Sequence, residues 1–209
     1  MTVVVTRPLE RSRKLAQRLS SLGFRVLVAP VIEIEPVDTG PIDLGRYDWL
    51  VLTSITGARE LRKRAVGHPR RVAAIGSATA EAWDAAVDLV PKVSTQEGLL
   101  AEIPRPAGSV LFAGAEDARR LLVDELGADF VPLYRTRPVR PRMLVKGDVA
   151  VLASPSAARS FAELGLSIPT VSIGPETTAA AAESGLRVLQ EAKTHDLDGL
   201  VEAVLRATR

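Results

Sequence analysis

The stretch VLTSITGARE (residues 51–60) decides the fold, because a near copy of it, VLASPSAARS, occupies residues 151–160. Each copy begins with a short apolar run, which is typical of a strand buried in a parallel sheet. Each run then meets a small hydroxyl residue, Ser54 or Ser154, of the kind that caps a helix. The sequence therefore predicts the same strand-to-helix corner at two places in the chain.

The repetition extends well beyond these two corners. The strand TVVV (2–5), a helix ended by Gly23 and the strand FRVLVAP (24–30) form one half-motif, which returns at residues 109–134. We interpret the chain as a tandem duplication of a five-stranded α/β unit. The further landmarks of the second half-motif match at offsets of 98, 98 and 101 residues: Gly76 with Gly174, Thr79 with Thr177, and Gly98 with Gly199.

Strands that alternate with helices predict parallel sheets with right-handed crossovers. The repeat leaves two domain arrangements open. In the simple arrangement, residues 1–104 form one domain and residues 108–209 the other. In the swapped arrangement, residues 1–31 join residues 141–209 in a discontinuous domain, and residues 45–132 form an inserted domain.

The segments VIEIEPV and LYRTRPV follow the two copies of the first half-motif and alternate like exposed β ribbons. Laid antiparallel, they would set carboxylates opposite guanidiniums, which stabilises a two-stranded ladder. This ladder, predicted for residues 32–44 and 133–140, favours the swapped arrangement; solvated linkers are the alternative. The charged residues concerned are Glu33, Glu35, Arg135 and Arg137.

Composition excludes several classes of function. The chain has no cysteine, and its histidines, His68 and His195, lack a metal-ligand spacing, so no metal site is predicted. The formal net charge is only +2 and the arginines are dispersed, so no nucleic-acid partner is predicted. Neither G-x-G-x-x-G after the first strand nor G-x-x-x-x-G-K-[ST] occurs, which argues against dinucleotides and nucleoside triphosphates.

The chain also lacks features of membrane and exported proteins. No apolar run approaches the length that spans a bilayer, and MTVVVTRPLE at the start is unlike a signal peptide. We therefore expect a cytoplasmic protein without a membrane partner.

The candidate binding residues lie where predicted strands end and helices begin, the usual position of ligands in open α/β sheets. They are small or hydroxylic residues beside helix N-termini, which suit carboxylates. Thr6 and Ser94, the latter in STQE (94–97), are interpreted as helix caps, and both histidines as surface residues away from the corners. The corners are TRP (6–8), TS (53–54), GSAT (76–79), GAED (114–117), SPS (154–156) and GPETT (174–178).

These landmarks in order resemble the uroporphyrinogen-III synthase family along almost the whole chain. The stretches concerned are VTRP, LGFRVLVAPVIEIEP, YDWLVLTS, AAIGSATA, LYRT, SPSAA, SIGPETTAAAAESGLRV and HDLDGLVEAV. The resemblance implies an α/β fold of two flavodoxin-like parallel-sheet domains, the first discontinuous, joined by a two-stranded β ladder beside a wide cleft.

The same resemblance implies a monomeric lyase of tetrapyrrole biosynthesis that needs no cofactor. Linear hydroxymethylbilane would lose its hydroxyl as water, and ring D would attack through its substituted carbon. The resulting spiro intermediate would rearrange to the macrocycle with ring D inverted. The alternative is a noncatalytic two-domain protein that binds an acidic small molecule.

Residue roles follow only by matching positions. Tyr134 matches the tyrosine placed to assist departure of the hydroxyl group. GAEDA (114–118) departs from a more glycine-rich, basic corner, so Arg119 is given no ligand role, and Glu176 departs from a position that is usually small or apolar. The expected substrate-binding residues are Arg7, Ser54, Gly76, Thr79, Ser154, Ser156, Gly174 and Thr177.

Overall fold

The computed structural model describes residues 1–37 and 40–208. It contains two compact units: unit 1 comprises Met1–Ile34 with Thr136–Arg209, and unit 2 comprises Glu35–Arg135. Residues 38 and 39 of the predicted linker, and residue 209, lie outside the described residues.

The secondary-structure elements are numbered along the chain. The strands are β1 (Thr2–Val5), β2 (Arg25–Val28), β3 (Ile32–Pro36), β4 (Ile42–Asp43), β5 (Trp49–Leu52), β6 (Ala65–Val66), β7 (Arg71–Ala74), β8 (Val110–Ala115), β9 (Asp129–Pro138), β10 (Val149–Leu152), β11 (Thr170–Ser172) and β12 (Val188–Glu191). The helices are α1 (Leu9–Ser21), α2 (Ile55–Arg62), α3 (Ser77–Trp83), α4 (Gln96–Glu102), α5 (Leu121–Leu126), α6 (Pro155–Ala162), α7 (Pro175–Glu183) and α8 (Leu197–Ala207).

Unit 1 is a parallel sheet with the order β2-β1-β10-β11-β12. Its central strands are buried on both faces, as their continuous Val and Leu content predicts. Leu15 of α1 and Leu200 of α8 pack in the core on one face, and Phe161 of α6 packs with Ala181 of α7 on the other. The strand order is the flavodoxin-like one.

Unit 2 contains the parallel order β9-β8-β5-β7, and beyond β7 a parallel bridge joins Ala73 to Leu89. Aligned through the duplication, β9 and β8 correspond to β2 and β1, and β5 and β7 correspond to β10 and β11. Both units thus have the same strand order, assembled from segments far apart in sequence. The predicted fold class, two parallel-sheet α/β domains with the first discontinuous, is confirmed.

Strand β3 pairs with β9 at one edge of the sheet of unit 2. The Val37 N–H donates to the Leu133 carbonyl at 3.0 Å, and the Val139 N–H donates to the Val31 carbonyl at 2.8 Å, so the two strands run antiparallel. Arg135 therefore lies opposite Glu35, with 3.6 Å between its Nε and Oε2 of the glutamate. One of the predicted charge pairs, Glu35 with Arg135, is present here, in strands that continue the sheet.

Two predicted helix caps are wrong. Thr6 is fully buried and donates its hydroxyl to the Val151 carbonyl at 2.6 Å, while α1 begins at Leu9 after Pro8. Because Thr6 follows β1 directly, its hydroxyl reaches the neighbouring strand β10 and does not reach α1. In STQE the cap is Thr95, whose Oγ1 accepts the Gly98 N–H at 3.1 Å, and Ser94 lies one residue before it.

Asp48 joins the beginnings of β5 and β8 in unit 2. Its Oδ2 accepts the N–H and the hydroxyl of Ser109, both at 2.9 Å, and these hydrogen bonds hold the pKa of Asp48 below its usual value. Because the pKa is lower in the folded than in the unfolded protein, the ionised carboxylate stabilises the fold above the unfolded pKa of about 4. That stabilisation is lost as the pH falls through the lowered folded pKa.

We therefore expect the difference in Tm between the wild type and Asp48→Asn to be largest near neutral pH and to shrink below about pH 4. Thermal unfolding monitored by circular dichroism across this range measures it. A difference that grows as the pH falls would contradict the assignment.

Among the described residues, no helix is both long and apolar enough to cross a bilayer.

Candidate active site

Ser54 lies just beyond the end of β5, at the edge of the unit 2 sheet where the parallel strands end. Its extended backbone and its Oγ, which accepts the Gly57 N–H at 2.9 Å, make it the N-cap of α2. The sequence predicts this corner correctly because an apolar strand, a serine and a helix follow one another directly. The same Oγ lies 3.1 Å from the hydroxyl of Tyr134.

Tyr134 is placed by a β-bulge in β9. The pairing of β8 with β9 steps from Gly114–Pro132 to Ala115–Tyr134, so Leu133 is the extra residue. A bulge turns the following side chain away from the regular alternation, and both Leu133 and Tyr134 are buried as a result. Two of the predicted site residues, separated by 80 positions in the chain, are thereby brought into hydrogen-bond contact.

Gly76 is the N-cap of α3 and has no side chain with which to cap it, and the Thr79 N–H donates to the Gly76 carbonyl at 3.0 Å. The N–H groups before Thr79 are those that a helix start ordinarily leaves to an outside acceptor. A Cβ added at Gly76 would lie 3.2 Å from the Ser94 hydroxyl, which places that hydroxyl at the same corner. Thr79, in contrast, is only 5% exposed. Its side chain therefore lies on the buried side of α3.

The charged residues at this edge are engaged with one another. Arg119 forms a two-pronged ion pair with Glu97, with both N–O distances at 2.9 Å, and this contact lowers the pKa of Glu97. Arg135 Nε lies 3.6 Å from Oε2 of Glu116 as well as from Oε2 of Glu35.

In unit 1, the corner after β10 holds two of the predicted residues. Ser154 caps α6, accepting the Ala157 N–H at 3.2 Å, and its Oγ lies 3.0 Å from the Oγ of Ser156. This hydroxyl pair stands where unit 2 has Ser54 with Tyr134. Both are partly accessible, and together they offer donors and acceptors to a carboxylate.

The corner after β11 corrects the interpretation of one histidine. Gly174 caps α7 without a side-chain hydrogen bond, and a Cβ added there would lie 2.8 Å from Nε2 of His195. His195 is thus exposed but packed on a strand-end corner, and the prediction that it lies away from the corners is wrong. It precedes Asp196, the cap of α8, so the start of that helix brings its ring over Gly174.

The remaining predicted residues of unit 1 are less open. Thr177 is only 2% exposed, because α7 turns it toward the core. Its neighbour Thr178 bonds the Ser172 hydroxyl at 2.6 Å. The carbonyl of Arg7 accepts the Ser12 hydroxyl at 2.9 Å, a contact that holds the β1–α1 loop.

Taken separately, each unit presents hydroxyl groups and uncapped backbone N–H groups at its strand ends. Such donors bind carboxylates, and the Ser54–Tyr134 pair can also supply a proton. Within residues 1–37 and 40–208, no three His, Asp or Glu side chains come close enough together to hold a metal ion. The hydroxyl and N–H groups at the strand ends of each unit are suited to hydrogen bonding and, at Tyr134, to proton delivery.

The residue patterns did not reveal two residues that lie against predicted site residues. His195 could have been found through the repeat, since the offset of 101 that relates Gly98 to Gly199 also relates Ser94 to His195. Arg64, which bonds the backbone beside Tyr134, gives no comparable signal because it follows a helix in a run of basic residues.

Comparisons with known proteins agree on one family. The model of the family described as uroporphyrinogen-III synthase HemD matches residues 13–202. A putative uroporphyrinogen-III synthase from Archaeoglobus fulgidus is 32% identical, with 97% of each chain covered. The chloroplastic uroporphyrinogen-III synthase of Oryza sativa subsp. japonica is 28% identical over 99% of this chain and 80% of its own. A crystal structure of a mutant uroporphyrinogen III synthase from Thermus thermophilus superposes with a TM-score of 0.65 at 17% identity, covering 99% of this chain and 98% of that one, which supports the fold.

Proposed function

Because the chain belongs to the uroporphyrinogen-III synthase family, we propose that it cyclises hydroxymethylbilane to uroporphyrinogen III with loss of water and inversion of ring D. The reaction would make it a lyase of tetrapyrrole biosynthesis. Substrate and product differ by one water, so the conversion is redox-neutral and requires no electron carrier.

The observation that carries this proposal is the hydrogen bond of 3.1 Å between Tyr134 and Ser54 at the strand-end edge of unit 2. A phenol held in this way can donate a proton to a departing hydroxyl group, which then leaves as water. Ser54 orients the phenol and is itself oriented by the Gly57 N–H. We assign Tyr134 as the general acid of this step.

Carboxylate groups of the substrate are proposed to bind at the strand-end edges of both units. Open N–H groups at Gly76 and Gly174 and the hydroxyls of Ser54, Ser154 and Ser156 supply the donors. Arg7 is retained as a further binding residue on the basis of the family resemblance. Because the side chains of Thr79 and Thr177 are buried, we propose that they stabilise, from the core side, the backbone that binds the carboxylates.

Holding the flexible linear substrate in one folded conformation supplies most of the required specificity. Cyclisation without inversion competes with the proposed reaction, so the enzyme must direct attack to the substituted carbon of ring D. Positioning by many weak donors suits this task better than a strong acid–base pair does.

The test is the isomer composition of the product. Hydroxymethylbilane generated enzymatically in situ is incubated with the protein, and after oxidation the type I and type III porphyrins are separated by chromatography. We expect mainly type III. A type I product that matches the protein-free control would overturn the proposal and favour a noncatalytic binding protein for an acidic small molecule.

The proposal includes the domain boundaries expected from the sequence, the monomeric state and the cytoplasmic location. Light scattering of the purified protein and fractionation of cells test the last two.

A further inference from the structure

Helix α2 is connected to β9 at both of its ends. At its start, the Ser54 hydroxyl lies 3.1 Å from the Tyr134 hydroxyl. Just past its end, Arg64 donates to the Leu133 carbonyl at 2.8 Å and also to the Val37 carbonyl. A single helix thus holds the side-chain end of Tyr134 and the backbone immediately before it.

The guanidinium of Arg64 is a largely buried charge, and its partner Glu60 is buried. The side chains of Arg64 and Glu60 are only 14% and 10% exposed, and the distance from Nη2 of the arginine to Oε2 of the glutamate is 3.5 Å. Lys63 Nζ contacts the other glutamate oxygen at 2.7 Å. Burying such a pair is costly, and apolar residues of similar volume often replace one without loss of stability. A role beyond stability is therefore worth testing here.

The carbonyl that Arg64 contacts belongs to the bulge residue. Leu133 is the residue of β9 that has no partner in β8, and its carbonyl also accepts the Val37 N–H at 3.0 Å. A bulge requires compensating contacts to persist, since it interrupts the ladder of backbone hydrogen bonds. Arg64 supplies such a contact at the residue that sets the direction of Tyr134.

We propose that Arg64, held by Glu60, is a positioning residue that fixes the β9 bulge and thereby aims the Tyr134 hydroxyl at Ser54 for the reaction. This inference rests on the proposed function. Arg64 lies outside the strand-end edge, and its effect on the chemical step is transmitted entirely through Tyr134.

The kinetic test is a double-mutant cycle of Arg64→Met and Tyr134→Phe. Because misplacement of a reacting group by about 1 Å can cost a hundredfold, we expect Arg64→Met to lower kcat about tenfold with little change in KM. In the Tyr134→Phe background the same change should have almost no further effect. Equal losses in both backgrounds, or a loss confined to KM, would overturn the proposal.

Arg62→Met is the matched control, because Arg62 lies in the last turn of the same helix but pairs with Asp84 at 2.7 Å instead of contacting β9. We expect it to leave kcat within about twofold of the wild type. If Arg64→Met fails to fold, Arg64→Lys keeps the charge and loses the two-pronged contact, and it should show a smaller loss that again disappears in the Tyr134→Phe background. A similar loss in Arg62→Met would contradict the proposal.

A measurement independent of activity separates this inference from the proposed function. The chain has two tyrosines, so carbon-13 labelling of the tyrosine rings gives two sets of NMR signals. Arg64→Met should shift or broaden the Tyr134 signals, whereas those of Tyr47, whose hydroxyl bonds Asp129 at 2.8 Å, should change little. Unchanged Tyr134 signals overturn the positioning role; changed signals in a protein that yields no type III product support it while the proposed function fails.

Discussion

We expect Tyr134→Phe to lower kcat about a hundredfold, the lower end of what a positioned general acid contributes. The substitution removes the phenol that lies 3.1 Å from Ser54 and keeps the ring that fills the buried space. Folding should therefore be preserved, and KM should change little because Ser54 and the other proposed binding donors are retained. Initial rates of type III formation at several substrate concentrations measure both parameters.

Three further variants separate this effect from general damage. Tyr47→Phe removes the other tyrosine hydroxyl, which bonds Asp129 and Arg46 and has no proposed role in the reaction, and it should leave kcat nearly unchanged. Ser54→Ala and Ser154→Ala each remove a helix cap, at a cost of about 1 kcal/mol of stability. Of these, Ser54→Ala should lower kcat more strongly. Wild-type kinetics in Tyr134→Phe would remove Tyr134 from the mechanism.

The second large effect is on stability, and it concerns a glycine that the repeat marks. Glycine to alanine within a helix ordinarily stabilises by about 1 kcal/mol. At Gly199 in the first turn of α8, however, an added Cβ would lie 2.1 Å from the Thr194 carbonyl oxygen, a contact that the backbone can relieve only by moving. That movement would also break the hydrogen bond from the Gly199 N–H to Asp196 at 2.8 Å.

We therefore expect Gly199→Ala to destabilise the protein by about 2 kcal/mol or more, the usual scale of overpacking combined with a lost cap. Gly98→Ala should behave alike, because its Cβ would lie 2.0 Å from the Val93 carbonyl oxygen. Gly165→Ala is the control: nothing lies near its added Cβ, and only its φ of +65° opposes the change. Urea unfolding gives the three values, and a stabilised Gly199→Ala would show that the contact is easily relieved.

The repeat also shows how far local patterns reach into the site. Ser54 and Ser154 are predicted correctly as corner residues because a strand, a cap and a helix are neighbours in sequence. Such patterns do not predict the contact of Ser54 with Tyr134, because it depends on the pairing of β9 with β8 and on the position of the β-bulge in that pairing. The buried positions of Thr79 and Thr177 depend in the same way on which face of a helix meets its sheet.

The positions of two charged or titratable residues, Arg64 and His195, depend more on tertiary contacts than on local sequence patterns. Arg64 stands in a basic run typical of a solvated helix end, yet it is largely buried against β9 because the bulge offers it the Leu133 carbonyl. His195 precedes a well-defined helix cap, but its ring lies over Gly174 only because α8 begins beside the end of β11. The contact of Arg64 leaves no signal in the residue pattern, and the position of His195 is indicated only by its offset of 101 residues from Ser94.

The amino-acid order was sufficient for the duplicated α/β architecture and the strand-to-helix corners, and it favoured the charge pairing of β3 with β9 over solvated linkers. Each of these depends on residues close together in the chain, or on a repeat that can be counted. The tertiary fold alone brought Ser54 into contact with Tyr134 and placed Arg64 against the Leu133 carbonyl of the bulge. It also buried the side chains of Thr79 and Thr177. Those outcomes depend on hydrogen bonds and burial between distant segments, whose free energies are settled only when the whole sheet has formed.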